Sequence, residues 1–260
     1  MTTQAQKAEL LRSLHVPGDP LIVTNVWDAV TARIVAGVPG VRAIASASHS
    51  VSFAHGVPDS EGLTVDEALA VAQLIVGAVD LPVTVDFEKA YARDATGVET
   101  NVGRLIETGA VGLNLEDSID GTGLFPIEVA AGRVAAARRA ADGNGVPIVI
   151  NARVDALIRG SDWADMVARA NAYLAAGADC AFVLGLSSEE DVARALDAVN
   201  GKVSVIAGAT SVPLKRLAEL GVSRVSFGPR MLGLTLSHLR EAAEQLTARG
   251  EYPPELDFEY

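Results

Sequence analysis

The chain has 260 residues, 49% of them hydrophobic, which is the usual size of a single α/β barrel with a large core. Its net charge of −12 argues against binding to nucleic acid or to an anionic membrane surface. One cysteine, Cys180, excludes an intramolecular disulfide framework and fits a reducing compartment. Because the first residues do not resemble a signal peptide and no apolar run approaches the ~20 residues that span a bilayer, we expect a cytoplasmic protein.

Eight short apolar runs recur along the chain. They are continuous rather than alternating, which indicates strands buried on both faces. Helix signals lie between them, such as capping boxes at Thr64–Glu67 and Ser187–Glu190 and helix-ending glycines before several strands. This alternation predicts one (β/α)₈ TIM barrel domain spanning residues 1–260. A doubly wound sheet is less favoured because no glycine-rich phosphate loop follows the first run. The runs cover residues 21–26, 42–47, 82–87, 111–116, 147–152, 180–185, 203–207 and 224–228.

Carboxylates follow the third and fourth runs. Asp86 and Glu88 end one run and Glu116 ends the next. The carboxyl ends of barrel strands share one rim, where active sites gather, so these side chains are expected to converge. Oxygen ligands of this kind favour Mg²⁺, with Mn²⁺ as a substitute. Asp117, the next residue, is expected to cap the following segment or to point outward.

An arginine follows the fifth run. Arg153 carries the guanidinium group, the side chain best shaped to clamp a carboxylate. A metal and an arginine at one rim indicate an enzyme that acts on a small anionic acid. Pairing of Arg153 with Asp155 or Glu116 is the structural alternative. Cys180, within an apolar run, is expected to be a buried structural thiol.

Five motifs occur in order between about residues 20 and 230. They are Asn25-Val-Trp-Asp28, Gly56-Val-Pro-Asp59, Asp86-x-Glu88, Asn114-Leu-Glu-Asp-Ser118 and Asn151-Ala-Arg-Val-Asp155. Together they resemble the isocitrate lyase/phosphoenolpyruvate mutase superfamily. The resemblance implies a barrel that binds Mg²⁺ and cleaves or forms a C–C or C–P bond next to a 2-oxo acid. It also implies a homotetramer in which paired subunits exchange a C-terminal helix, and residues 232–246 carry an apolar face that fits this role.

The resemblance also implies roles for single residues. Asp86 would be the direct metal ligand, while Glu88 and Glu116 would hold metal-bound waters. Arg153 would bind the substrate carboxylate. The candidates for substrate binding are Ser46, Ser48, His49, Asn114 and Arg153, and the candidates for catalysis are Arg153, His49 and Asp59. Asp28 is more simply explained as a helix cap.

Three departures from the resemblance leave the reaction open. The Lys-x-Cys-Gly-His stretch of isocitrate lyases is missing, and no lysine occurs in residues 118–123, where mutases carry one. Ala90 and Ala92 stand where many relatives have glycine. We expect a Mg²⁺-dependent lyase that cleaves a C–C bond in a small 2-oxo or 2-hydroxy di- or tricarboxylic acid through an enolate-type intermediate. The alternatives are phosphonopyruvate hydrolysis or mutation, oxaloacetate decarboxylation, and non-catalytic binding of a 2-oxo acid.

Overall fold

Nine parallel strands form a nearly closed barrel in the computed structural model, which describes residues 2–119, 123–250 and 252–258. Their order around the sheet is β1-β9-β8-β7-β6-β5-β4-β3-β2, and only Thr24 separates β1 from β2 in the chain. This confirms the predicted TIM barrel. The strands are β1 (Leu21–Val23), β2 (Asn25–Val26), β3 (Ile44–Ser46), β4 (Val83–Asp86), β5 (Gly112–Glu116), β6 (Val149–Val154), β7 (Cys180–Val183), β8 (Val203–Ile206) and β9 (Arg224–Ser226).

Helices cover the outside of the barrel and alternate with the strands. Thr64 forms the predicted capping box, and Asp28, which the sequence predicts to be a helix cap, forms a capping box as well. The third box starts one residue later than predicted, at Ser188, because Asp191 and not Glu190 occupies its third helical position. The helices are α1 (Gln4–Ser13), α2 (Ala29–Ala36), α3 (Ser48–Ala54), α4 (Val65–Gly77), α5 (Ala95–Glu107), α6 (Ile127–Asn144), α7 (Trp163–Ala175), α8 (Glu189–Ala198), α9 (Leu214–Leu220) and α10 (Arg230–Thr247), with short 3₁₀ helices at Leu157–Arg159 and Pro254–Asp257.

The first predicted strand is interrupted where the barrel closes. Its first half pairs with β9 and its second half with β3, so one continuous strand becomes two segments. The Asn25 side chain joins the two sides. Its amide donates to the Ser46 carbonyl at 2.9 Å, and its Oδ1 accepts from the Phe227 and Gly228 amides at 2.8 Å each. Asn25 therefore links the two sides of the barrel where the sheet closes, at the end that holds the carboxylates.

Helix α1 covers the opposite end of the barrel. Arg12 donates to the carbonyl groups of Pro147 and Ile148, just before β6 begins, and Leu11 is fully buried. A side chain at Gly112 would meet Leu11 and Thr84. Side chains thus fill the barrel at the amino ends of the strands. The carboxyl ends are therefore where a ligand can enter.

Helix α10 lies largely uncovered. Of its 18 residues only Leu232 is buried. Leu239 is 64% exposed, and Leu236 and Leu246 are also exposed. No helix in the described ranges is long and apolar enough to cross a membrane. Cys180 is fully buried, as predicted, and burial raises the pKa of its thiol to about 12.

Candidate active site

A cavity of about 180 Å³ opens at the carboxyl ends of the strands. Most of the residues singled out from the sequence line it, namely Ser48, His49, Asp59, Asp86, Asn114 and Arg153. Its other walls include Phe182, Leu184, Ile206 and Pro229, from the later strands and the loops after them. The cavity is therefore polar and charged on the side of the early strands and largely apolar on the opposite side.

Asp86 is the most firmly held carboxylate of this cavity. Its Oδ2 accepts from the backbone N–H of Ser48 at 3.0 Å and from the Ser48 hydroxyl at 2.7 Å. Its Oδ1 accepts from the side-chain amide of Asn114 at 3.2 Å. The backbone N–H of Asp86 donates to the Ser46 hydroxyl at 2.9 Å. Ser46, Ser48 and Asn114, which the sequence analysis assigned to the substrate, thus contact the predicted metal ligand in this structure.

Asn114 faces into the barrel, as predicted, and its amide has a fixed orientation. Its Oδ1 accepts from Asn151 at 2.8 Å and from the guanidinium group of Arg224 at 3.4 Å. Because two donors meet this oxygen, the amide nitrogen must point at Asp86. Sequence reasoning missed Arg224, which is buried inside the barrel.

Glu88 and Glu116 are both buried. Burial raises the pKa of Glu88 to about 7, and the negative charges of Asp86 and Asp59 add to that effect. Burial also raises the pKa of Glu116 above its usual value. Glu88 accepts from the Tyr91 hydroxyl at 2.9 Å, while Glu116 meets Nη1 of Arg153 at 2.6 Å. Burial therefore disfavours the charged forms of both glutamates, and a nearby cation would favour them.

Arg153 lies between two carboxylates. Its Nη1 contacts Glu116, and its Nε and Nη2 donate to the two oxygens of Asp155 at 2.7 and 3.0 Å. Burial lowers the pKa of Arg153, but these two carboxylates outweigh it, so the pKa lies above its usual value. The structural ion pair that the sequence left as an alternative is therefore present, and Arg153 also lines the cavity. Its binding of a substrate carboxylate stays a prediction.

Asp155 and Asp117 form a buried layer behind Arg153. Asp155 is fully buried and accepts from the Ser118 hydroxyl, while its backbone N–H donates to Asp117 at 2.9 Å. Asp117 also accepts from the Tyr173 hydroxyl at 2.7 Å. The expectation that Asp117 caps a segment or points outward is wrong, because these long-range donors hold it inside the protein.

His49 and Asp59 lie at the mouth of the cavity. Both are exposed, and the His49 ring stacks parallel to Phe53 with 6.3 Å between centroids. They are the two titratable side chains of the described cavity wall that hold no ion pair or hydrogen bond shown in the structure. Both side chains are therefore open to contact with solvent or with a bound ligand.

The carboxylates at this end of the barrel would suit one hard divalent cation held partly through water. Among the described residues, no three Asp, Glu, His or Cys side chains are arranged to hold an ion directly. Asp86 lines the cavity. Glu88 and Glu116 lie near enough to Asp86 for its negative charge to help raise their pKa values. Mg²⁺ commonly keeps several waters and uses one or two carboxylates, so the arrangement fits a single direct ligand with two water-holding acids.

Comparison with known proteins places this site in a family. The sequence model of the family described as phosphoenolpyruvate phosphomutase matches residues 11–247. The chain belongs to the isocitrate lyase/phosphoenolpyruvate mutase superfamily. Its named relatives are lyases and mutases, which indicates an enzyme of this superfamily's lyase and mutase type.

Individual members of the superfamily cover nearly the whole chain. Phosphoenolpyruvate phosphomutase of Streptomyces hygroscopicus is 27% identical over 96% of this chain and 83% of its own length. The 2,3-dimethylmalate lyase of Eubacterium barkeri is 30% identical over 85% of this chain and 76% of its own. A crystal structure from Burkholderia cenocepacia J2315, provisionally described as a phosphonomutase, has a TM-score of 0.88 and 40% identity, covering 93% of this chain and 99% of that chain. The superfamily thus includes both lyases and mutases of small acids.

The segment after β4 shows how this chain departs from its superfamily motif. Ala90, which the superfamily resemblance compares with a glycine, has a φ of +58°, the left-handed conformation that glycine adopts most easily. Arg133 stabilises the segment by donating to the carbonyl groups of Lys89 and Ala92. Lys89 is buried and lies 3.6 Å from Glu61. The part of the 118–123 loop formed by residues 120–122 lies outside the described residues.

Proposed function

We propose that this enzyme is a Mg²⁺-dependent lyase that cleaves a C–C bond in a small 2-oxo or 2-hydroxy acid through an enolate-type intermediate. The observation that carries the proposal is that Asp86 and Arg153 line one cavity whose opposite wall is apolar. One side can hold a metal and a carboxylate, while the other can accept an uncharged carbon substituent.

Bound Mg²⁺ would polarise the 2-oxo acid and stabilise the negative charge that develops when the adjacent bond breaks. Ser48 and Asn114 keep the Asp86 carboxylate in one orientation. Arg153 offers its remaining N–H groups to the substrate carboxylate. His49 and Asp59, at the cavity mouth, are placed to give or take the proton that bond cleavage requires.

The charges in the cavity favour C–C over C–P chemistry. A phosphonate brings up to two negative charges besides the substrate carboxylate, and its binding needs further cations. Arg153 is the single Lys or Arg side chain among the described residues that line the cavity. Two carboxylates already accompany it. A substituent without charge fits Phe182, Leu184 and Ile206 better than a phosphonate does.

Turnover assays test the proposal. Purified protein with Mg²⁺ would be offered 2-alkylmalates, methylisocitrate, oxaloacetate and phosphonopyruvate, and the formation of pyruvate, glyoxylate, CO₂, phosphate and phosphoenolpyruvate would be measured. We expect a 2-oxo acid from at least one C–C substrate, and neither phosphate nor phosphoenolpyruvate from phosphonopyruvate. Phosphate release from phosphonopyruvate would favour the hydrolase alternative, and its conversion to phosphoenolpyruvate would favour the mutase alternative. Thermal stabilisation by these acids without any product would identify a binding protein.

We also propose that the enzyme is a homotetramer. The exposed leucines of α10 form an apolar face that this subunit leaves uncovered. A second copy of the chain would bury that face, in line with the helix exchange that the superfamily resemblance implies.

A further inference from the structure

Two strained segments meet beside the candidate metal carboxylates. In the described part of the chain, six residues other than glycine have a positive φ. Five of them lie in two segments, Ser60 and Glu61 in one and Glu88, Ala90 and Tyr91 in the other. Such conformations are uncommon and cluster at functional sites, where surrounding contacts must hold them.

Glu61 makes the contacts that join the two segments. Its backbone N–H donates to Oε2 of Glu88 at 2.5 Å. Its carboxylate accepts from the backbone N–H of Tyr91 at 2.8 Å and lies 3.6 Å from the ammonium group of Lys89. The hydroxyl of Tyr91 donates to the other carboxylate oxygen of Glu88, Oε1, at 2.9 Å. The contacts form a closed ring that includes both Glu61 and Glu88.

The loop that carries Asp59 is largely exposed in the described part of the chain. Within residues 58–62, Glu61 is partly buried and the other four residues are exposed. The turn itself is tight, since a side chain at Gly62 would come within 1.9 Å of the Pro58 carbonyl oxygen. Val57 and Leu63 pack against the core on either side of this turn, and within it the Glu61 side chain hydrogen-bonds to the segment after β4. The turn holds Asp59 at the cavity.

We propose that Glu61 is a positioning residue that ties the Asp59 turn to the segment after β4 and thereby fixes the direction of the Glu88 carboxylate. The effect on metal binding rests on the proposed function, whereas the attachment of the turn does not. Partners of metal-site carboxylates commonly change metal affinity by about tenfold to a hundredfold when they are removed.

The test uses three variants. Glu61→Ala removes both side-chain contacts, whereas Glu61→Gln keeps an oxygen for the Tyr91 N–H and loses the charge that meets Lys89. Glu67→Ala is the matched control, because Glu67 caps the start of α4 just after this turn and does not contact Glu88. All three are compared at a temperature where each is folded.

Hydrogen exchange of the Glu61 amide in metal-free protein measures the attachment. We expect exchange at least about tenfold faster in Glu61→Ala, an intermediate rate in Glu61→Gln and the wild-type rate in Glu67→Ala. Calorimetric titration with Mg²⁺ should show about tenfold to a hundredfold weaker binding in Glu61→Ala and partial recovery in Glu61→Gln.

The outcomes separate this proposal from the proposed function. Wild-type exchange at the Glu61 amide in Glu61→Ala would overturn the positioning role, and so would an equal change in Glu67→Ala. If wild-type protein bound no Mg²⁺, the proposed function would fail, while the exchange measurement would still decide whether Glu61 holds the turn.

Discussion

Asp155 occupies one edge of the Arg153 guanidinium group, with its two oxygens 2.7 Å from Nε and 3.0 Å from Nη2. The Nε and Nη2 edge of Arg153, which can bind a carboxylate through two hydrogen bonds, is thus already occupied within the protein. A ligand can be met only by the outward N–H groups on Nη1 and Nη2. Because Nη1 also contacts Glu116, the substrate carboxylate would share Arg153 with two resident acids.

This geometry changes what Arg153→Lys is expected to do. Lysine keeps the charge but loses the paired bonds to Asp155, so the free energy of unfolding of the free protein should fall by about 1.5–3 kcal/mol. Affinity for oxalate in the presence of Mg²⁺ should also fall, by about tenfold to a hundredfold. Denaturant unfolding and calorimetry measure the two effects. Unchanged oxalate affinity in a folded variant would leave Arg153 with a structural role alone.

The buried His15 predicts a loss of stability in acid. Burial and the charge of Arg224 lower the pKa of His15 from 6.5 to about 4. Between these pH values the unfolded chain binds a proton that the folded chain excludes, so this contribution to stability is complete above pH ~6.5 and declines toward pH ~4. The loss is about 3 kcal/mol.

His15→Asn isolates this effect, because its amide can still donate to the Leu11 carbonyl, which the His15 ring contacts at 2.8 Å. The raised pKa values of Glu88 and Glu116 increase the free energy of unfolding as pH falls, which opposes the effect of His15. Because both proteins contain these glutamates, their effect cancels in the comparison. The stability difference between variant and wild type, from urea unfolding, should therefore shift in favour of the variant as pH falls from 7 to 4. A constant difference would contradict the assignment.

The exposed face of α10 predicts the oligomeric state. Light scattering at micromolar concentration should give the mass of a tetramer. The double substitution Leu239→Glu and Leu246→Glu should dissociate it, because two charges would enter the buried face. Leu74→Glu is the control, since Leu74 on α4 is as exposed as Leu239, at 63% against 64%. A wild-type monomer would reject both the tetramer and the helix exchange.

The sequence predicted the rim of the barrel well, because that prediction needs only local patterns. The run that ends at Asp86 and the run that leads to Arg153 each identify a strand and its carboxyl end, and closure of the barrel brings the ends together. Capping by Asp28 is also local, since its partner Thr31 lies three residues away.

Contacts between distant segments could not be predicted in this way. Tyr173 lies 56 residues from Asp117, and Glu61 lies 27 residues from Glu88. The contact between Glu61 and Glu88 depends on left-handed turns at residues that seldom adopt them, so no residue pattern signals it. Arg224 was missed for another reason: a charged residue that opens a strand is more often exposed than buried inside a barrel.

The most direct test of the account is whether oxalate, a mimic of the enolate product, binds through Mg²⁺ held by Asp86. Oxalate would be titrated calorimetrically into wild-type and Asp86→Ala protein, each with and without Mg²⁺. Asp94→Ala, which removes an exposed helix cap, serves as the control for folding. We expect Mg²⁺-dependent oxalate binding in wild type and in Asp94→Ala, and none in a folded Asp86→Ala protein. Full Mg²⁺-dependent binding by Asp86→Ala would contradict it.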